Sequence, residues 1–152
     1  MATQQTSSGV RVFPPLIHLA AIALGFLLQW ALPFRIPGIA LAGWLLLAIA
    51  LGLIAWTAIL MSRAGTTPNP TRPTTALVIR GPFRFTRNPM YLAWELIVIG
   101  VGLAANAPWV ILMAVPAAWA TRRLVIDKEE RYLDSKFGAE YLDYKTRVRR
   151  WA

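Results

Sequence analysis

The stretch RGPFRFTRNPMYLAWE (residues 80–95) decides the fold, because it joins a basic, proline-rich connection to a long apolar segment. Gly81-Pro82 predicts a turn. Asn88 and Pro89 predict the start of a helix, with Asn88 as N-cap and Pro89 at the first helical position, where a missing N–H costs little. The free backbone N–H groups at such a helix start can hold an anionic ligand group. The sequence therefore predicts a polar site at the edge of a membrane.

The composition indicates an integral membrane protein. The 152 residues are 57% hydrophobic and yet carry a net charge of +9, which fits a chain whose charges lie in loops and tails. Nucleic-acid binding is disfavoured, because the basic residues are not interleaved with a soluble fold. The chain has no cysteine, which excludes disulfides, a thiolate nucleophile and cysteine metal ligands. No histidine pair suggests a metal site, and the polar start lacks the charged region of a cleaved signal peptide.

The apolar segments predict one all-α membrane domain over residues 1–152. Residues 1–12 are expected to be disordered, and the amphipathic aromatic pattern after the last span predicts cytoplasmic helices at 127–150. The last two spans are expected to form a helical hairpin, because Asn106-Ala107-Pro108 interrupts their apolar run. Small residues in the second span indicate close helix packing. The four predicted spans are about 16–33, 38–61, 89–105 and 108–124.

The distribution of Lys and Arg predicts the orientation. The connection at 62–88 carries five arginines and no acid, and the segment from Arg122 carries nine basic residues. Only Arg35 lies in the first short turn. The positive-inside rule therefore places both termini, the long connection and the predicted site on the cytoplasmic side of the inner membrane.

Two glutamates, Glu129 and Glu130, follow the fourth predicted span. A short hairpin brings its two ends together, so we expect these carboxylates to face Arg87, Asn88 and Tyr91 across a small gap. The alternative is an ordinary solvated helix face with surface ion pairs.

Glu95 is the one charged residue inside the third predicted span, one turn beyond Tyr91. An ionisable group at such a position is costly and is a functional hypothesis by default. The alternative is that Glu95 snorkels to the membrane edge or pairs with Arg84 or Arg87. His18, in the first span, is interpreted as a packing residue.

Four segments resemble the signature of the isoprenylcysteine carboxyl methyltransferase and phospholipid methyltransferase superfamily. They are GPFR (81–84), RNPMYL (87–92), EE (129–130) and FGAEYLDYKTRV (137–148). The resemblance extends over residues 63–148. It implies an integral-membrane methyltransferase that uses S-adenosylmethionine, bound at the cytoplasmic end of the hairpin.

The resemblance also implies which residues bind this cofactor. A carboxylate would take the cofactor's ammonium or ribose hydroxyls, while the helix start and an arginine would take its carboxylate. The Tyr91 ring would lie near the sulfonium in a cation–π arrangement. The implied binding residues are Arg87, Asn88, Pro89, Tyr91, Leu92, Glu129 and Glu130.

The implied acceptor is lipophilic: a prenylcysteine-like carboxylate, a phospholipid amine or a small thiol. A carboxylate needs only orientation, for which Arg123 is the candidate, whereas an amine or thiol must lose a proton, for which Glu95 is the candidate base. Carboxyl methyltransferases usually have histidine at the position of Asn88, and asparagine resembles the phospholipid branch. A non-enzymatic membrane scaffold and a membrane reductase of related architecture remain the alternative functions. The expected partners are the acceptor and membrane lipids.

Overall fold

The computed structural model describes residues 8–10, 12–36 and 40–152, and these residues form helices and turns without a strand. The predicted all-helical fold is therefore confirmed. The expected disorder of residues 1–12 falls largely outside the described residues. The helices are α1 (Pro14–Ala31), α2 (Ala40–Arg63), α3 (Pro89–Ala104), α4 (Pro108–Leu112), α5 (Ala114–Thr121), α6 (Asp127–Phe137) and α7 (Ala139–Arg147).

Three helical segments are long and apolar enough to cross a membrane. They are α1, α2 and the nearly continuous helix Pro108–Phe137, which contains α4, α5, a π-helical turn at Arg122–Ile126 and α6. The fourth apolar helix, α3, has 16 residues and is shorter than a typical span. Large apolar side chains of α2, such as Leu41, Trp44 and Ile49, are exposed, as expected for a surface that faces lipid. The chain is an integral membrane protein.

Glycines allow α2 and α3 to pack closely. A Cβ added at Gly43 of α2 would lie 2.7 Å from the Gly100 carbonyl oxygen of α3. A Cβ at Gly100 would in turn lie 2.9 Å from the Leu47 side chain. Small residues at a membrane helix interface let backbones approach, and this confirms the packing role predicted for the second span.

The chain reverses between α3 and α4. Asn106 adopts a left-handed conformation with φ of 52°, and the Ala107 N–H donates to the Gly102 carbonyl at 2.8 Å. Pro108 then starts α4, as predicted for the hairpin. Asn106 Oδ1 also accepts the Ile36 N–H at 2.7 Å, which ties this turn to the connection after α1. The opposite ends of the hairpin, near Pro89 and Asp127, are brought together.

The C-terminal helices fold back over the start of α3. Gly138, with φ of 52°, separates α6 from α7, and Lys145 Nζ lies 2.9 Å from Asp134 Oδ2 across that bend. The Tyr144 hydroxyl donates to the Phe83 carbonyl at 2.6 Å. These contacts place α7 and the tail after it beside residues 83–91.

Candidate active site

A pocket lies where the start of α3 meets α6, α7 and the connection after α2. Glu129 and Glu130 of α6 lie in the same wall as Tyr91 of α3, so the structure brings together the two motifs that the sequence separates. Leu92 lies outside the wall. The polar and tyrosine lining residues are Thr74, Arg87, Asn88, Tyr91, Glu129, Glu130, Tyr141 and Tyr144. Apolar lining residues include Met61, Leu77, Val78, Phe83, Pro89 and Leu133.

Tyr91 fixes the orientation of Glu129. The Tyr91 hydroxyl donates to Glu129 Oε2 at 2.7 Å. The Tyr91 side chain is buried and packs with Val125 and Ile126 in one apolar cluster. A rigidly held donor therefore positions the carboxylate at the pocket wall, and Glu129 Oε1 makes no hydrogen bond to another described residue.

Glu130 is held by the C-terminal tail. Arg150 binds it in a bidentate manner, with Nε to Oε1 at 3.0 Å and Nη2 to Oε2 at 2.6 Å. Arg150 Nη1 also lies 3.2 Å from Asp127 Oδ1. The hydrogen bonds from Arg150 to Glu130 raise the pKa of the guanidinium, so its positive charge is secured. Both oxygens of Glu130 are thus engaged within the protein.

Arg87 is a nearly buried cation with unused donors. Its side chain is 11% exposed, and its Nη1 lies 3.4 Å from Glu130 Oε1 without a hydrogen bond. Among the described residues, neither Nε nor Nη1 of Arg87 has a hydrogen-bond partner. Buried guanidinium donors are normally satisfied, so this arrangement favours an anionic ligand group in the pocket.

Asn88 lies at the N-cap position of α3, but its side chain does not cap the helix. Its Nδ2 instead donates to the Arg150 carbonyl at 3.0 Å, and the Asn88 N–H donates to Thr86 Oγ1 at 3.2 Å. Asn88 therefore occupies the predicted N-cap position, but its side chain does not make the hydrogen bond to the helix start that an N-cap residue usually makes. The physical reason is that the Arg150 carbonyl lies close enough to accept a hydrogen bond from the side-chain amide of Asn88.

Two tyrosines of α7 form an aromatic wall that sequence reasoning did not assign to the site. The rings of Tyr141 and Tyr144 lie 6.1 Å apart, and burial raises the pKa of Tyr144 to about 12. Burial also raises the pKa of Tyr141, so both phenols are neutral at physiological pH. Their spacing of three residues on an amphipathic helix was the available signal.

Glu95 and Arg123 are not in the pocket. Glu95 is buried, and its Oε1 lies 3.0 Å from His18 Nε2, while His18 Nδ1 donates to the Pro14 carbonyl at 3.0 Å. His18 is therefore the partner of Glu95, rather than Arg84 or Arg87, and does more than fill space. Arg123 is exposed on the π-helical turn.

Comparison with known proteins identifies the family of the chain. A model of the phospholipid methyltransferase family matches residues 39–140, which include the start of α3 and both pocket glutamates. A Haemophilus influenzae protein described as uncharacterized is 36% identical over an alignment of 70 positions, which covers 41% of this chain and 98% of that protein. No solved structure matches the chain. The chain belongs to the phospholipid methyltransferase family.

Proposed function

We propose that the pocket binds S-adenosylmethionine and that the protein transfers its methyl group to a lipophilic acceptor at the cytoplasmic membrane face. The observation that carries this proposal is the nearly buried guanidinium of Arg87 in the pocket. Its nearly buried Nε and Nη1 have no hydrogen-bond partner among the described residues and lie in one pocket with the Glu129 carboxylate. An amino-acid group, with one carboxylate and one ammonium, matches this pair of charges.

The residues present fit the cofactor. Arg87 would hold its carboxylate, and Glu129 would take the ammonium or the ribose hydroxyls. The neutral rings of Tyr141 and Tyr144 offer apolar faces on which an adenine can pack. Tyr91 orients Glu129 and presents an aromatic ring to a sulfonium. Glu130 is engaged by Arg150, so we assign it to holding the site rather than to direct binding.

A second, more apolar groove adjoins the pocket and suits the acceptor. Its volume is about 360 Å³, and it shares Pro68, Met90 and Tyr91 with the pocket. Residues of α1, α2 and α3 line it. The further lining residues are Phe13, Pro14, Pro15, Ile54, Ala58, Asn69, Pro70 and Trp94. We propose that the acceptor enters from the lipid by this groove, while the soluble cofactor enters from the cytoplasm.

The chemistry needs little from the protein beyond placement. S-adenosylmethionine, when bound, supplies an electrophilic methyl group on sulfur. The chain contributes orientation of both partners and exclusion of water. An amine or thiol acceptor must also lose a proton. Glu95 is proposed as the base that takes this proton, because its buried Oε2 has no hydrogen-bond partner among the described residues. His18 holds the other oxygen, Oε1, and the His18 ring lies 5.8 Å from the ring of the groove residue Trp94. Arg123 is the residue predicted to orient a carboxylate acceptor. It lines neither the pocket nor the groove.

Calorimetric titration of the detergent-purified protein with S-adenosylhomocysteine tests the proposal. We expect saturable binding that Glu129→Ala weakens by at least about tenfold, a free-energy loss of about 1.4 kcal/mol. Glu140→Ala is the matched control, because Glu140 is exposed on α7. An acceptor screen of lipid amines, thiols and prenylated cysteines would follow. A folded, monodisperse sample without binding would contradict the proposal and favour a scaffold.

A further inference from the structure

The C-terminal tail, residues 148–152, runs back along the start of α3. Its backbone carbonyls accept three hydrogen bonds from that region. The Arg149 carbonyl accepts the Arg87 N–H at 2.9 Å, and the Arg150 carbonyl accepts Thr86 Oγ1 at 2.9 Å as well as the Asn88 amide. Trp151 packs against the apolar cluster that contains Tyr91. The tail therefore supports residues that line the pocket without lining it itself.

Within this tail, the Arg150 side chain competes with Arg87 for one carboxylate. Glu130 is 9% exposed and receives the bidentate bond from Arg150, while Arg87 remains 3.4 Å from the same Oε1. A nearly buried carboxylate needs cationic or hydrogen-bonding partners. Without Arg150, Arg87 would be the cation beside Glu130, and its unused donors would bind that carboxylate.

We propose that Arg150 is a positioning residue for the cofactor site, which keeps Arg87 available for the ligand's carboxylate by neutralising Glu130. Arg150 does not touch the ligand in this account. Its effect passes through Glu130 to Arg87. This inference rests on the proposed function, and it adds to that function a tail residue that sets the affinity for the amino-acid part of the cofactor.

The experiment compares two ligands that differ in that part. S-adenosylhomocysteine carries the amino-acid carboxylate, whereas 5′-methylthioadenosine lacks it. We expect Arg150→Ala to weaken binding of the first by about tenfold, since a charge-assisted bond to its carboxylate is lost, and to change binding of the second by less than twofold. Arg147→Ala, which removes an exposed arginine paired only with Asp143 among the described residues, should change neither.

A second variant separates positioning from folding. In Arg150→Ala/Glu130→Gln, the carboxylate that would capture Arg87 is itself removed, so the affinity for S-adenosylhomocysteine should recover to within about threefold of wild type. Arg150→Lys keeps the charge with a single donor group and should give a smaller, equally ligand-selective loss. Arg150→Lys therefore tests the inference even if Arg150→Ala does not fold.

Four results would overturn the inference. Equal loss of affinity for both ligands would make Arg150 merely structural, and so would a double variant without recovery. If the wild type binds S-adenosylhomocysteine and Arg150→Ala binds it equally well, the inference is rejected and the proposed function stands. Absence of binding to the wild type would reject both.

Discussion

The hydrogen bond from Tyr91 to Glu129 can be removed without changing the shape of the pocket. Tyr91→Phe deletes the hydroxyl that lies 2.7 Å from Glu129 Oε2 and keeps the ring that packs with Val125 and Ile126. The folded protein then loses one hydrogen bond to a charged group, which stabilises by about 1.5–3 kcal/mol. The larger consequence for function is that Glu129 is no longer fixed before the ligand arrives.

The expected loss of affinity follows from that freedom. Ordering one side chain on binding costs about 0.5–1.5 kcal/mol, which corresponds to a roughly two- to twelvefold weaker complex with S-adenosylhomocysteine. Calorimetry on the purified protein measures the change. Tyr132→Phe is the matched control: Tyr132 is fully buried, but its hydroxyl accepts from Lys136 outside the pocket.

A double-mutant cycle with Glu129→Ala tests the reasoning itself. If Tyr91 acts by orienting Glu129, Tyr91→Phe should have no further effect once that carboxylate is gone. Additive losses in the double variant would refute the orienting role and point to direct contact between the Tyr91 hydroxyl and the ligand. An unchanged affinity in the single variant would refute it as well.

Three further changes test the packing, the buried pair and the groove. Gly43→Ala should lower the unfolding temperature in detergent, because its Cβ would lie 2.7 Å from the Gly100 carbonyl oxygen and overpacking costs about 1–3 kcal/mol. Gly52→Ala should not lower it, because no residue of another described element lies within 4 Å of the added Cβ. His18→Ala leaves Glu95 buried without its partner and should destabilise the fold by about 3–5 kcal/mol, whereas a stability equal to wild type would show that the pair is dispensable. Ala58→Phe should fill the acceptor groove, so that methyl transfer to a lipid falls while S-adenosylhomocysteine binds as before; undiminished transfer would place the acceptor elsewhere.

Much of the fold follows from local sequence. Uncharged runs, the proline at the start of α3 and the Asn106-Ala107-Pro108 interruption each act within a few residues, so they are visible without a structure. The convergence of Glu129 with Tyr91 was predictable, because a hairpin between them leaves few other placements. Leu92 belongs to the family motif but does not line the pocket, since one step along a helix turns a side chain by about 100° away from its neighbour.

The contacts that hold the site together were not predictable. The tail reaches Asn88 over a sequence separation of 62 residues, and His18 reaches Glu95 over 77. Neither pairing leaves a periodic signal, because each partner is the single member of its kind on its element. The π-helical turn before α6 also has no pattern in the sequence. Val125 and Ile126 face the core there, while Arg123 is exposed.

Transfer of a labelled methyl group tests the central claim most directly. The protein in lipid nanodiscs would be incubated with methyl-labelled S-adenosylmethionine and a mixture of lipid amines, thiols and prenylated cysteines, and label would be counted in the lipid extract. We predict incorporation by the wild type and by Arg84→Ala, because Arg84 is exposed. We predict a loss of at least about tenfold in Arg87→Ala, which removes the pocket donors that have no hydrogen-bond partner in the described part of the chain. Equal incorporation by Arg87→Ala, or none by the wild type with a verified fold, would contradict the account.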